Sequence, residues 1–399
     1  MIPAFSIARL PRIEFGRGSF ARLPGLIAGR GRRVLLVTGA ASVQATPYWQ
    51  TLLDALNEAG LHWRHCTVSG EPSPALVDTY VQQFAGEDME VVVGIGGGSV
   101  LDAAKAIAGL LRVGRSVMDY LEGVGPELAY EGPALPFIAV PTTAGTGSEA
   151  TRNAVLSVAG EEGFKKSFRH EDLVAEYAVV DPVWLDTCPP SLIAANGMDA
   201  LTQLIESWTS LRANPFTDAL ALSGLEAARD GLLPWFGSAG GPAEVTEAAR
   251  TRMAWASLVS GITLAQAGLG SVHGLASPLG AFFPIPHGVV CGTLLAEATD
   301  INIRAMRERE RHNPALARYA RLAELLLETP LRDPEQAWEL LVERLRAWCE
   351  HLGLPRLSAY GIGEGDLDRI VANARGSSMR TNPIVLTDDE LREILRRRL

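Results

Sequence analysis

Residues 90–111, EVVVGIGGGSVLDAAKAIAGLL, decide how the first half of this 399-residue chain folds. Residues 90–94 form a short β-branched run typical of a buried strand, and residues 99–111 have the apolar spacing of a helix. The glycine-rich turn between them lets the backbone approach a phosphate, and the free amides at the helix start favour its negative charge. The stretch therefore predicts a βα unit with a nucleotide site at its turn, and a turn without a ligand is the alternative.

The same alternation continues on both sides of that unit. Strand and helix patterns alternate up to residue 180, which is typical of a parallel sheet covered on both faces. After about residue 186 the β-branched runs largely disappear and long amphipathic stretches follow. The sequence predicts a Rossmann-like α/β domain over residues 1–185 and an all-helical domain over residues 186–399. The predicted strands are 33–37, 61–67, 90–94, 136–140 and 174–180, and the predicted helices are 48–59, 74–85, 99–111, 192–210, 216–232, 243–267, 289–302, 314–327, 334–352, 365–374 and 388–397.

Composition and charge exclude several classes of protein. The net charge of −10 argues against a surface for nucleic acid or anionic lipid. No apolar run reaches the roughly eighteen residues of a membrane span, and the first residues lack the pattern of a secretory signal. The four cysteines are scattered without CxxC spacing, which is typical of reduced thiols. We therefore expect a soluble, cytoplasmic protein with a small-molecule ligand.

A second turn, PTTAGTGSE at residues 141–149, again follows a predicted strand. Its hydroxyls and amides suit a ribose or a phosphate, and a solvated loop with a helix cap is the alternative. Two such turns at the ends of adjacent strands favour a dinucleotide. After the first predicted strand, residues 38–42 around Gly39 lack the carboxylate that binds the ribose hydroxyls of NAD. The pattern therefore leans toward NADP, or toward use of both cofactors.

Residues 268–288, GLGSVHGLASPLGAFFPIPHG, carry two of the seven histidines, His273 and His287. The proline before His287 predicts that this histidine begins a helix, whereas we expect the preceding proline-containing segment to be a loop. Asp199 and Gln203 are four residues apart on a predicted helix and so share a face. A carboxylate in a largely apolar helix needs a partner, and a divalent ion bound with two imidazoles supplies one. Structural histidines and a hydrogen-bonded aspartate are the alternative.

Four motifs occur in order along the chain, GIGGGSVLDAAKAIA, PTTAGTGSE, PPSLIAANGMDALTQLIE and VHGLASPLGAFFPIPHGV. With SMRTNP at residues 378–383, they resemble the iron-containing (group III) alcohol dehydrogenases nearly from end to end. The resemblance implies a Rossmann-like domain followed by a helical metal-binding domain, as in the dehydroquinate synthase-like architecture. It also implies NAD(P)-dependent interconversion of alcohols with aldehydes or ketones, by a homodimer or a larger homo-oligomer.

Residue by residue, the resemblance implies the metal ligands Asp199, His273 and His287, with Fe(II) as the first candidate and Zn(II) as the second. Family members commonly carry histidine where Gln203 and Ser277 stand. Gln203 is therefore a weaker fourth ligand than histidine. With serine instead of histidine at position 277, proton transfer would use a hydroxyl, a water molecule or a cofactor ribose. We assign no protein base. The family resemblance implies cofactor contacts at Gly97, Gly98, Ser99, Asp102, Thr142, Thr143 and Lys165. The turn after the first predicted strand adds Gly39 to this set.

The predicted reaction is metal-assisted hydride transfer between nicotinamide C4 and a small alcohol or aldehyde. Phe282, Phe283 and Ile285, beside the second histidine, hint at an apolar substrate or belong to the core. Gln203 favours an alternative, a metal-independent reductase of the same fold, as the maleylacetate reductases are. A non-catalytic nucleotide-binding protein is a further alternative, which the intact turns and retained ligands disfavour.

Overall fold

The computed structural model describes residues 2, 4–238 and 243–399. Contacts between residues divide the chain into two compact units. The first unit comprises Ala8–Val158 and Lys165–Thr187, and the second comprises Met1–Ile7, Ala159–Phe164 and Cys188–Leu399. Within the described part of the chain, no helix is both long and apolar enough to cross a bilayer.

A parallel six-stranded sheet forms the centre of the first unit, with the strand order β1-β8-β5-β4-β2-β3. Apolar side chains of its central strands are fully buried because helices cover the sheet, so these strands are nearly continuous apolar runs. Strands β6 and β7 form a separate two-stranded ribbon. The strands are β1 (Arg12–Phe15), β2 (Arg33–Gly39), β3 (His62–Val68), β4 (Val91–Gly96), β5 (Phe137–Pro141), β6 (Asn153–Val158), β7 (Phe164–Arg169) and β8 (Tyr177–Val180). The helices are α1 (Leu23–Ala28), α2 (Pro47–Glu58), α3 (Pro74–Phe84) and α4 (Gly98–Leu110).

The connections in this sheet reverse direction between β2 and β4. From β2 the chain moves outward to β3, and it then returns to place β4 on the other side of β2. Open α/β sheets bind ligands at the carboxyl ends of the strands beside such a reversal. Gly39 ends β2 and Gly96 ends β4, so the predicted nucleotide residues lie at this edge of the sheet.

From Pro190 onward, the regular structure of the described residues is helical. The central helix of the second unit, α5, is buried along most of its length and packs against α6, α7 and α9. The helices are α5 (Pro190–Thr209), α6 (Pro215–Gly237), α7 (Ala243–Ala267), α8 (Ser271–Phe282), α9 (His287–Arg309), α10 (Pro314–Leu327), α11 (Pro334–His351), α12 (Leu367–Ala372) and α13 (Asp388–Arg396).

The predicted fold class, a Rossmann-like parallel sheet followed by a helical region, is confirmed. The expected loop after residue 268 is wrong, because Ser271–Phe282 forms α8 with Pro278 inside the helix. Most of α8 is buried, so its packing outweighs the low helix propensity of its glycine and proline residues. Strands β1, β6 and β7 were not predicted, since they are short and carry little apolar periodicity.

Candidate active site

Asp199 lies in the buried middle of α5, with 1% of its surface exposed. Its Oδ1 is 3.2 Å from His273 Nε2 and 3.8 Å from His287 Nε2. Burial favours the neutral acid, but His287 and His273 outweigh it and hold the pKa of Asp199 below its usual value. Asp199 Oδ2 is buried and has no hydrogen-bond partner among the described residues. Because a buried charge needs compensation, this oxygen is a position where a cation fits.

A carboxylate fixes the orientation of His273, which lies on α8. The Nδ1 atom of His273 is 2.6 Å from Glu206 Oε2, and Glu206 Oε1 accepts a hydrogen bond of 2.7 Å from the Val272 amide. Since the carboxylate is the acceptor, Nδ1 carries the proton and Nε2 faces Asp199. Carboxylates commonly orient metal-binding histidines in this way.

His287 begins α9 directly after Pro286, as predicted. The next residue, Gly288, brings this helix against α5, because a Cβ atom at Gly288 would lie 2.5 Å from the Ala195 carbonyl oxygen. The His287 side chain is 26% exposed, whereas those of Asp199 and His273 are nearly inaccessible. His287 therefore forms the outer side of this group.

Cys291 lies one turn beyond His287 on α9 and is fully buried. Its Sγ atom is 3.5 Å from His273 Nε2 and 3.7 Å from His287 Nε2. Burial raises the pKa of the Cys291 thiol to about 12. Ligand atoms of Asp199, His273, His287 and Cys291 all lie within 4.8 Å of one another. One carboxylate, two imidazoles and a thiol suit a first-row divalent ion.

Cys291 and Glu206 were not predicted from the sequence. Both were within reach of a spacing argument, since Cys291 follows His287 by four residues and Glu206 follows Asp199 by seven, which are helical repeats. The doubtful ligand Gln203 is buried, and its Oε1 already accepts a 2.7 Å hydrogen bond from Ser260 Oγ.

Two of the predicted substrate-side residues, Phe282 and Ile285, are covered within the second unit. Ile285 is buried, with 4% of its surface exposed. The ring of Phe282 is covered by the guanidinium of Arg369 at 3.9 Å from the ring centroid. Ser277 is partly exposed on α8, one turn beyond His273. These contacts favour the core interpretation for Ile285 and leave Ser277 and Phe283 as candidates beside the metal group.

The structure brings the two predicted nucleotide turns side by side. Strands β4 and β5 pair so that Gly96 is opposite Pro141, and the Thr142 amide donates a 3.0 Å hydrogen bond to the Gly96 carbonyl. A Cβ atom at Gly97 would lie 3.2 Å from Thr143 Oγ1, and one at Gly98 would lie 2.7 Å from the Thr146 Oγ1. Only glycine allows this close approach without displacing the threonines.

Helix α4 presents amides at this turn. It begins at Gly98 without a side-chain cap, so no N-cap side chain accepts from the amides of its first turn. Residues 141–149 are not the solvated loop of the alternative interpretation, because most of them are buried or partly buried. Gly97, Gly98, Ser99, Thr142 and Thr143 thus form one group at the edge of the sheet.

Asp102 belongs to a buried polar network behind that group. Its Oδ2 accepts a 3.1 Å hydrogen bond from the Val155 amide, and its Oδ1 accepts one from Ser148 Oγ. The fully buried Lys105 places its Nζ 3.5 Å from Asp102 Oδ1 and donates to the Asn153 carbonyl at 2.8 Å. Burial raises the pKa of Asp102 and lowers that of Lys105, and each charge opposes the shift of the other. The network fixes Asp102 at the start of α4.

Two further predicted cofactor residues lie outside the two turns in sequence. Thr38 of β2 pairs with Ile95 of β4, so the next residue, Gly39, lies level with the start of the glycine-rich turn. Gly39 ends β2, and its carbonyl oxygen accepts a 2.9 Å hydrogen bond from Gln44 Nε2. Lys165 lies on β7, and its Nζ is 2.5 Å from Glu71 Oε1. Lys165 therefore has an acidic partner within the first unit.

Comparison with known proteins covers both units. The iron-containing alcohol dehydrogenase profile matches residues 11–182, and the profile of the C-terminal part of that family matches residues 193–399. Alcohol dehydrogenase 4 of Saccharomyces cerevisiae is 31% identical, with 97% of each chain covered. The NAD-dependent methanol dehydrogenase of Bacillus methanolicus is 30% identical over 98% of each chain, and the NADPH-dependent butanol dehydrogenase of Clostridium saccharobutylicum is 30% identical over 96% of each.

A solved structure of an alcohol dehydrogenase has the same fold as this chain. The archaeal alcohol dehydrogenase ADH/D1 from a Red Sea brine pool superposes with a TM-score of 0.90 at 27% identity, covering 100% of this chain and 99% of that one. The chain therefore belongs to the iron-containing alcohol dehydrogenase family and is an oxidoreductase that acts on alcohols or aldehydes.

Proposed function

We propose that this enzyme is metal-dependent and transfers hydride between a nicotinamide cofactor and a small alcohol or aldehyde. The unpartnered Asp199 Oδ2, buried beside two imidazoles, is the observation that carries the proposal. A bound cation would satisfy this oxygen and neutralise a carboxylate that the protein otherwise buries at a cost.

The residues of the group have separate roles in this proposal. Asp199 supplies negative charge, and His273 presents Nε2 because Glu206 holds the proton on Nδ1. His287 completes the set from its more exposed position, so the substrate oxygen arrives on the His287 side. When bound, the ion supplies Lewis acidity toward that oxygen and the cofactor exchanges the hydride. Ser277 Oγ or a cofactor ribose hydroxyl passes the alcohol proton onward.

The cofactor group in this proposal is the pair of turns at β4 and β5. The uncapped start of α4 and the close threonines suit a pyrophosphate, which favours amides at a helix start. Asp102, which its network holds at the start of α4, would meet the nicotinamide end, and Lys165 would have to leave Glu71 to contact a cofactor hydroxyl.

We further propose a preference for NADP, or use of both cofactors. No carboxylate occurs in residues 38–42, and Gln44 donates to the Gly39 carbonyl at the end of β2. A missing carboxylate removes repulsion against a 2′-phosphate. Relatives at similar identity are named for NAD and for NADPH, so the ratio of kcat/KM for NADPH and NADH decides this point.

The organisation of the protein completes the proposal. Residues 1–185 would bind the cofactor, and residues 186–399 would hold the metal and the substrate. A homodimer or larger homo-oligomer follows from the family resemblance, and light scattering after gel filtration tests it. The four cysteines are free, which agrees with a reducing compartment such as the cytoplasm.

Turnover before and after chelation tests the function. Protein purified without chelator is assayed for NADH and NADPH oxidation with a series of short aldehydes. We expect activity that a chelator abolishes and that Fe(II) or Zn(II) restores. Undiminished turnover of the metal-free protein would instead favour the metal-independent reductase.

A further inference from the structure

Cys291 is not among the metal ligands proposed above, although its thiol lies beside them. Within the described residues, its sulfur lies inside the group formed by Asp199, His273 and His287. It is fully buried on α9, one helical turn beyond His287, so both side chains lie on the same face of one helix.

We propose that Cys291 is the fourth protein ligand of the metal ion, in the role that Gln203 was expected to fill. This inference rests on the proposed metal-dependent function and adds a sulfur donor to it. On coordination, the thiol S–H bond is replaced by a metal–sulfur bond and the proton leaves to solvent.

The distances between the donor atoms agree with one shared cation. In a tetrahedral site with metal–nitrogen bonds of about 2.0–2.1 Å and a metal–sulfur bond of about 2.3 Å, nitrogen and sulfur are about 3.6 Å apart. Cys291 Sγ lies 3.5 Å and 3.7 Å from the Nε2 atoms of His273 and His287. As a donor, the single S–H proton serves only one of these contacts, and the other would need the sulfur, a weak acceptor, to receive an imidazole N–H.

The oxygen donor completes the same arrangement. About 3.3 Å separates a nitrogen and an oxygen ligand on one tetrahedral ion. Asp199 Oδ1 is 3.2 Å from His273 Nε2 and 3.8 Å from His287 Nε2. Four of the six donor-to-donor distances are therefore near those expected around one ion, and the ligand atoms of all four residues lie within 4.8 Å of one another.

Gln203 is the weaker candidate for this position. Its Oε1 already accepts a hydrogen bond from Ser260, and a neutral amide is a poorer ligand than a thiolate for Zn(II) or Fe(II). A sulfur donor also moves the expected preference toward softer ions, so Zn(II) becomes the first candidate.

Cobalt substitution tests the sulfur ligand directly. The full-length protein is stripped with a chelator, refilled with Co(II), and examined for a sulfur-to-cobalt charge-transfer band. We expect the band in the wild type and in Gln203→Ala, and its loss in Cys291→Ser. Cys349→Ser is the matched control, because Cys349 is another buried free thiol of the second unit, and it should keep the band.

X-ray absorption and affinity supply independent readouts. At the zinc edge, the wild type should show one sulfur neighbour at about 2.3 Å. Cys291→Ser should weaken Zn(II) binding by more than the roughly 10- to 100-fold that loss of an outer hydrogen-bond partner costs. If Cys291→Ser does not fold, as judged by circular dichroism and melting, the wild-type spectra decide the question alone.

Two failures are distinguishable. Wild-type protein that binds Co(II) and Zn(II) without a charge-transfer band or a sulfur neighbour would overturn the Cys291 ligand and leave the metal-dependent function standing. Wild-type protein that binds neither ion would overturn the metal-dependent function, and the sulfur ligand with it.

Discussion

At the scale of single residues, the site depends on acceptors that hold the ligands in place. Glu206 accepts from both His273 Nδ1 and the Val272 amide, one with each carboxylate oxygen. Among the described residues, Glu206 is the hydrogen-bond partner of His273 Nδ1, so the Nε2 atom of the same ring faces Asp199 because Glu206 is present. Spacing along a helix reveals such residues only after the metal ligands themselves are known.

We predict that Glu206→Gln weakens metal binding by about 10- to 100-fold. A glutamine side chain has one acceptor oxygen, so it leaves either His273 Nδ1 or the Val272 amide without an acceptor. Competition with a fluorescent zinc chelator measures the affinity. The same substitution at the buried Glu297, outside the group, should leave the affinity of the folded protein unchanged. Equal affinities for wild type and Glu206→Gln would contradict the orienting role.

We also predict that Lys105→Met destabilises the protein by about 3–5 kcal/mol, since it leaves the largely buried Asp102 carboxylate without its cation. Urea unfolding measures the change in the free energy of unfolding. The exposed Lys166 offers the control, and Lys166→Met should stay within about 0.5 kcal/mol of the wild type. A Lys105→Met protein as stable as the wild type would show that Lys105 does not contribute this free energy of unfolding.

At the scale of elements, close helix packing positions the ligands. Gly288 and Gly292 lie one turn apart on α9, and Cβ atoms there would lie 2.5 Å from the Ala195 carbonyl oxygen and 2.8 Å from Met198 Cβ. These glycines let α9 approach α5, and the approach brings His287 to Asp199.

We predict that Gly288→Ala disrupts the metal group. The added methyl group meets backbone atoms of α5 that cannot rotate away, so α9 must shift and separate His287 from Asp199. The expected result is a loss of stability of about 1–3 kcal/mol together with weaker metal binding. Thermal melting and zinc titration measure both effects. Gly237→Ala, where a Cβ atom meets no neighbour within 4 Å, is the control. Unchanged metal affinity would contradict this account of how α9 is placed.

Local sequence patterns predict some of these elements and not others. The start of α9 at His287 was predictable, because Pro286 is a local signal for a helix start. Helix α8 was not, because Gly274 and Pro278 have low helix propensity and only burial against other elements keeps it helical. Gly274 shows the packing directly, since a Cβ atom there would lie 3.0 Å from the Ala374 carbonyl oxygen. Contacts of this kind join residues that are distant in sequence, so sequence periodicity does not predict them.

At the scale of the whole molecule, ion pairs of a buried glutamate connect the end of the chain to α9 and α11. Glu297 on α9 accepts from Arg346 Nη2 at 2.7 Å and from Arg397 Nη1 at 3.1 Å. Burial favours the neutral acid, but the two guanidinium groups outweigh it and hold the pKa of Glu297 below its usual value. A depressed carboxyl pKa contributes stability above the unfolded-state pKa, and that stability is lost as the pH falls through the folded-state pKa.

We therefore predict that Glu297→Gln lowers the stability by roughly 2 kcal/mol at neutral pH. The difference from the wild type should shrink below about pH 4, the range in which an unfolded glutamate becomes protonated. Urea unfolding across pH 3–8 measures it in both proteins. A difference that is independent of pH would show that Glu297 acts through packing and not through its charge.

The metal content of the purified protein shows whether Asp199, His273 and His287 hold a divalent ion. Protein purified without chelator is analysed by inductively coupled plasma mass spectrometry, beside Asp199→Asn and the control Asp230→Asn. We predict close to one Zn or Fe per chain in the wild type and in Asp230→Asn, and little metal in Asp199→Asn. Wild-type protein that carries no metal and yet reduces aldehydes at full rate would contradict this prediction.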